Sequence, residues 1–444
     1  VKKVLFISLA VVLVLSIGLI GCEGETTPKL LLGTTLPQTG IFAGFGEQGF
    51  GMQAAVDDWN DTYGGVSIGG ETWEVELIIK DNQSDPNNVG PQSQDLVLTD
   101  EVHALLSPNA PCDLHDPTTQ VATDYGVPSI ICGGPFEPWF HGTQNNTAPP
   151  YTWFSGFAIG EPQPAPKNVP GYTMVDTWFL YMDAVNALNN TNGIAGVFAS
   201  SDSDGTGWYQ AFPGLMEDYG MTVVGVNESI GFFPLSTTDY GSMVTYWKNH
   251  DVEILWGNCP GANFGALISE CDGQDFEPKI CLAARAALFP TDVESWGTAP
   301  PLGYGVGCEV WWSPSYNTTD GFVGIGSRTA ASLAADWATE TGEPLNRSIG
   351  TGYLAAQVML QAIENAGSVD GDDINAALAA IDMDTLCGRV KFSSTTHFSA
   401  QPLAFGQWFY DSENVDEPFY QYLTASALPE IPVEKPPIFP LPTW

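Results

Sequence analysis

The chain has 444 residues, of which 44% are hydrophobic, enough for two cores and, at ordinary domain sizes, two lobes. Its 52 Asp and Glu against 13 Lys and Arg leave a formal net charge of −39, which repels phosphate backbones and anionic headgroups and excludes nucleic acid as a partner. The acidic residues are spread along the chain with no cluster that reads as a binding patch, the pattern of a solvated surface suited to salty surroundings.

Lys2 and Lys3 precede an apolar run from Val4 to Ile20 that ends at Gly21-Cys22, which reads as a signal peptide over residues 1–21. No other stretch approaches the roughly 20 apolar residues that a membrane span needs. Leu19-Ile20-Gly21-Cys22 resembles the lipobox of bacterial lipoproteins. That resemblance implies acylation of the Cys22 thiol, removal of the signal, and stable anchoring by two or three acyl chains. Glu23 to Pro28 then read as a short polar tether.

Lys29 to Thr35 is an apolar strand, and Met52, Val56 and Trp59 recur at helical spacing up to Asn60. Trp73, Val75, Leu77 and Ile79 alternate as a half-buried strand does. Asp85-Pro86 supplies an N-cap and a first-turn proline for a helix to about Leu98. Val102 to Leu106 reads as a strand, Thr118 to Tyr125 as a helix and Pro128 to Cys132 as a strand. This βαβα alternation implies a parallel sheet with helices on both faces.

A loop rich in Pro, Asn and Gly is expected over 133–170, after which the alternation restarts. Helix 174–189, strand 193–199, helix 208–219 and strand 222–226 follow, with further strands at 254–257 and 279–283 around a helix at 264–269. Val306 to Trp312 reads as a strand leaving this second lobe, and Gly352 to Ala366 as a helix returning to the first. Leu403 to Tyr410 is the last expected strand. The partition is 29–155 with 316–400 in lobe 1, 156–315 with 401–430 in lobe 2, and an extended Pro-rich tail over 431–444.

Seven cysteines follow Cys22, with no CxxC pair and no His at zinc-finger spacing, so no metal site is expected. The odd count leaves at least one thiol unpaired. Cys112 with Cys132, and Cys259 with Cys281, lie near the ends of predicted strands and are candidate disulfides, although spacing does not fix connectivity. Gly44 to Gly49 match GxGxxG literally but lie about ten residues beyond the strand, away from the tight first turn that a dinucleotide site uses. Asp202, Asp204 and Gly207 suggest a calcium loop, but Pro213 stands where the closing Glu belongs. No nucleophile and base pattern is present. A protein without cofactor or catalysis is expected.

Thr39-Gly40, Gly46, the helix ending at Asn60, Gly64-Gly65, Gly69-Gly70, Asp81 with Asp85-Pro86, and Gly126-Val127-Pro128 recur in a characteristic order. In these the chain resembles the branched-chain amino acid-binding proteins, from about Leu30 to Tyr410. The resemblance implies an α/β fold of two doubly wound parallel-sheet lobes joined by three hinge strands, the type I periplasmic-binding fold. It also implies a monomer outside the cytoplasm that captures a small solute between the lobes. The partner the resemblance implies is an ABC permease with cytoplasmic ATPases.

Carried over by position, the resemblance places ligand contacts at Phe45, at Asn109, Cys112 and Asp113, and at Gly133 and Gly134. The second lobe contributes Thr206 and Trp208 from a loop 202–208, then Asn258 and Arg285. Arg285 stands where amino acid binders carry an acid for the ligand ammonium, and Thr206 or Trp208 replaces an expected tyrosine. The ligand expected is therefore small and carboxylate-type or amino-acid-like; the sharper expectation is a carboxylate or other anion without a compensating ammonium, held by Arg285 with its apolar part against Phe45 and Trp208. A ligand sensor presenting its closed form to a receptor, and a lipid-anchored hydrolase, are the alternatives.

Overall fold

The computed structural model describes residues 28–161, 170–316, 321–414 and 416–443. Cys22, the signal segment, nearly all of the tether and Trp444 lie outside them.

The first half of the chain runs β1 (Lys29–Leu36), α1 (Gln48–Tyr63), β2 (Val66–Ile68), β3 (Glu71–Asp81), α2 (Pro86–Leu98), β4 (Ala104–Ser107), α3 (Asp116–Tyr125), β5 (Ser129–Pro135) and β6 (Thr152–Phe157). Local chemistry sets most boundaries. The Asp85 side chain accepts the Asn87 backbone N–H at 2.9 Å, with Pro86 opening α2. Gly64 closes α1 and Gly126 closes α3 in the left-handed conformation, at φ 79° and 66°.

The second run is α4 (Met174–Ala184), α5 (Ala187–Asn190), β7 (Ile194–Ser200), α6 (Ser203–Tyr219), β8 (Thr222–Val224), β9 (Phe232–Phe233), α7 (Gly241–Asn249), β10 (Ile254–Asn258), α8 (Gly261–Gly273), β11 (Ile280–Ala284), α9 (Pro290–Ser295) and β12 (Gly307–Val310). The chain then returns through α10 (Ala330–Thr341), α11 (Ile349–Ala366), α12 (Gly371–Ala379), the hairpin β13 (Asp382–Thr385) and β14 (Gly388–Lys391), and β15 (Phe398–Ala400). It ends with β16 (Ala404–Tyr410) and β17 (Phe419–Ala425).

Two sheets result. The first has the order β15-β6-β5-β4-β1-β3-β2 and the second β17-β16-β12-β11-β10-β7-β8. The first is parallel except at β2–β3, and the second is parallel except where β12, β16 and β17 pair. Sheet membership makes the chain cross between lobes three times: between Phe157 and Ile194, between Val310 and Phe398, and between Ala400 and Ala404. The two α/β lobes and three crossings match the type I periplasmic-binding fold. The close approach of α1 to α11 depends on glycine: a Cβ on Gly51 would lie 1.8 Å from the Ile349 carbonyl oxygen, and one on Gly352 would lie 2.1 Å from that of Gln48.

Four expectations need correction. The segment 133–170 is not all loop, because Thr152–Phe157 is a fully buried strand paired with β5 and β15. The helix expected from Trp208 begins at Ser203, where Asp202 caps it by accepting the Gly205 N–H at 2.7 Å. Thr206 and Trp208 are therefore helical. The strand expected over 306–312 is shorter, Gly307–Val310, and lies between β11 and β16; the chain leaves the second lobe after it, as expected. Leu403–Tyr410 is followed by one more strand, β17, which the prolines after it do not disturb.

The tail lies along the second lobe. Ile438 N–H donates to Gln407 Oε1 at 2.9 Å, Leu441 N–H to the Lys279 carbonyl at 2.9 Å, and the Lys435 ammonium sits 3.7 Å from the Tyr422 ring centroid. Among the described residues no helix is long and apolar enough to cross a membrane.

Candidate ligand-binding site

The carboxyl ends of β1, β4 and β5 face those of β7, β10 and β11 across the cleft, the position where open α/β sheets place ligands. Phe45, Asn109, Ala110 and Pro135 from the first lobe meet Asp204, Trp208, Asn258, Arg285 and Leu288 from the second, with Phe157, Glu309 and Trp311 beside the crossings. The cavity is about 20 Å³, room for about one water molecule. The lobes are thus drawn together, and they must part to admit a solute.

Phe45 holds the closure on the first-lobe side. Its ring meets Phe289 edge-on at 4.7 Å and stacks on Trp311 at 6.4 Å. Gln48 fixes its backbone and that of Asn109 together. The Gln48 Nε2 donates to the Phe45 and Asn109 carbonyls, both at 2.8 Å, and its Oε1 accepts the Asn109 N–H at 2.8 Å. This leaves the buried Asn109 Nδ2 without a partner.

Arg285 follows β11 at φ 61°, a left-handed conformation that costs energy for a residue with a Cβ. Its buried guanidinium donates through Nη2 to Ser200 Oγ at 2.6 Å and Asp202 Oδ2 at 2.9 Å, while Nε and Nη1 have no partner. Burial works against this charge, but Asp202 and Asp204 outweigh it and the pKa is raised. Burial pushes the Asp204 carboxyl up to about 6, with Arg285 pulling it down and Asp202 pushing it further up. Burial also pushes Glu309 up to about 8, and its Oε2 is unpartnered.

Of the residues singled out from sequence, Phe45, Asn109, Trp208, Asn258 and Arg285 line this cavity. The others do not. Cys112 and Asp113 bridge the lobes, through the Cys112 N–H to Asp204 Oδ1 at 3.1 Å and from Ser203 Oγ to Asp113 Oδ2 at 2.9 Å. Gly133 and Gly134 lie within β5, where a Cβ would strike the Asn109 side chain or the Phe154 ring. Thr206 sits on α6 outside the cavity lining. Asp204 lies within the segment 202–208 expected to meet the ligand, without having been singled out; Glu309, Phe157 and Trp311 were not assigned from sequence, although Glu309 was visible as a lone charge in an apolar strand.

The candidate disulfides are not formed: Cys112, Cys132, Cys259 and Cys281 are buried free thiols. Cys132 packs in the first-lobe core with Leu354 and Cys387, whereas Cys112 packs with Ile131, Trp139 and Phe154. Adjacent strand residues point to opposite faces, so Cys132 faces away from Cys112 while Ile131 faces it. Cys281 pairs with Leu255, four residues before Cys259. That separation is about 13 Å at strand rise, beyond the roughly 7 Å that a disulfide spans between Cα atoms.

Residues 30–413 match the family model described as periplasmic binding protein. This chain belongs to that family. The fold is shared with a leucine-binding protein from Thermotoga maritima, at TM-score 0.67 and 15% identity over 89% of this chain and 99% of that one. A solute-binding protein from Rhodopseudomonas palustris in complex with 3,4-dihydroxybenzoic acid is similar at TM-score 0.65 and 16% identity, covering 90% and 98%. A branched-chain amino acid transporter binding protein from Streptococcus pneumoniae in complex with isoleucine is similar at TM-score 0.65 and 16% identity, covering 88% and 99%. That family is a solute-binding class of protein.

Proposed function

We propose that the chain captures a small carboxylate between its lobes, on Arg285, and delivers it to an ABC permease driven by cytoplasmic ATPases. The carrying observation is the buried guanidinium with Nε and Nη1 unpartnered in an aromatic cavity between two movable lobes. Unpaired donors there are costly until an acceptor arrives, and a guanidinium suits a carboxylate in charge and geometry. A solute with that acceptor binds the closed form better and shifts the population toward it. The Cys112 thiol beside the cleft is pushed well up by burial, which disfavours nucleophilic chemistry. Mass spectrometry of small molecules retained by the purified protein should find a carboxylic acid. A sugar or neutral amide as the tight ligand would overturn the reading.

Lipid anchoring through Cys22 belongs to the same proposal. β1 begins at Lys29, at the end of its sheet opposite the ligand site. Fatty-acid labelling should mark the protein and be lost in Cys22→Ala; an unlabelled mature protein would refute it.

A further inference from the structure

Arg347 is the one arginine that no carboxylate answers among the described residues. Arg285 pairs with Asp202, Arg328 with Asp58 and Asp336, and Arg389 with Asp382 and Asp384. Arg347 lies between α10 and α11 in the first lobe, only 6% exposed, and its Nη2 donates to the Gln421 carbonyl of β17 in the second lobe at 2.5 Å. Nη1 is buried without a partner. A buried charge needs a counter-charge, and a guanidinium cannot escape that need by losing its proton.

The nearby acids do not supply it. Glu417 lines the same cavity as Arg347, but burial pushes its carboxyl up, the reverse of what a paired cation does. Glu434 is exposed, and its Oε2 accepts the Leu423 N–H at 2.8 Å. Cys308, Tyr316 and Tyr420 also feel the guanidinium, and burial keeps all three in their neutral forms. The cavity is about 10 Å³ and shares no residue with the Arg285 site. Leu345 and Arg347 line it from the first lobe, and Pro290, Trp408 and Gln421 from the second. It has room for one water-sized particle, too little for a carboxylate, sulfate or phosphate.

We propose that Arg347 holds a monatomic halide, chloride in salty surroundings, at this second contact between the lobes. The Nη1–H donates to the ion, which supplies the counter-charge that the chain lacks there. Because the ion touches both lobes, it favours their closed arrangement. The net charge of −39 opposes an anion at long range, but salt screens that field beyond roughly 8 Å. The local guanidinium decides.

The test is thermal melting at constant sodium and ionic strength, with chloride or bromide replacing gluconate, an anion too large for the cavity. The wild-type Tm should rise by about 2 °C between halide-free buffer and about 0.15 M of either halide. Arg347→Met, which keeps an apolar stem and removes the charge, should lose that rise. An equal rise in Arg347→Met, or no rise in the wild type, overturns the proposal. A response that appears only in Glu417→Gln identifies that carboxylate as the counter-charge and overturns it too. If Arg347→Met does not fold, wild-type crystals grown in bromide decide: an anomalous peak beside Arg347 Nη1 supports the site, and no peak there refutes it.

Discussion

The backbone N–H of Cys112, in the first lobe, donates to Asp204 Oδ1, in the second, at 3.1 Å. Beside it the direction reverses, with Ser203 Oγ of the second lobe donating to Asp113 Oδ2 of the first at 2.9 Å. Each lobe thus supplies one carboxylate and one donor to the other. Opening the cleft breaks both bonds, so this pair helps to set the closed population and the escape rate of a bound solute.

Ser203→Ala removes one of these bonds outside the cavity lining. A hydrogen bond to a charged acceptor contributes about 1.5 kcal/mol or more, so solute dissociation should speed up by about tenfold. Stopped-flow release of the retained ligand measures it, and an unchanged rate would show that the pair does not restrain opening.

The acidic groups at the lobe contact make stability depend on pH. Burial raises Glu47 and Asp292 to about 7 and Asp204 to about 6 from ordinary values of 4.5 for Glu and 3.8 for Asp. A folded-state pKa above the unfolded one means that the folded form holds more protons, so the contribution is fully present below the unfolded pKa and is lost as pH rises through the folded pKa. Tm should therefore fall from about pH 4 to about pH 7. Asp292→Asn and Glu47→Gln together should flatten the slope in a melting series; a slope that they leave unaltered would contradict this assignment.

Arg285→Ala should weaken binding of a carboxylate ligand by at least about tenfold, or about 1.4 kcal/mol. Arg285→Lys should restore it only in part, because an ammonium lacks the planar donor fork. Calorimetry on the two variants, with circular dichroism to show that both remain folded, tests the assignment.

The seven described cysteines are all buried and free. A thiol reagent should react slowly with the native protein and with all seven after denaturation without reductant. Linked peptides between Cys112 and Cys132, or between Cys259 and Cys281, would contradict the strand registers.

Features set by neighbours in sequence were legible without the structure. Asp85-Pro86 opens α2 because a side-chain acceptor and a fixed φ act within two residues. The apolar run at Lys29, the periodic helix ending near Asn60 and the alternation at Trp73–Ile79 likewise announce the first βα lobe. Five cavity residues came from the resemblance to the branched-chain amino acid-binding proteins, carried over by position. Thr152–Phe157 was hidden because a short buried strand between proline-rich stretches carries no periodic signal of its own; its pairing with β5 and β15 makes it a strand. Asp202 as a helix cap moved Thr206 out of the expected loop. Asp204 and Glu309 share a cavity with Arg285 only because α6, β11 and β12 converge there, from positions far apart in the chain. Sequence determined the elements and the lobes, since propensity and capping act over a few residues. Tertiary structure decided which charges meet, since that depends on sheet order and lobe closure, interactions between residues far apart in the chain.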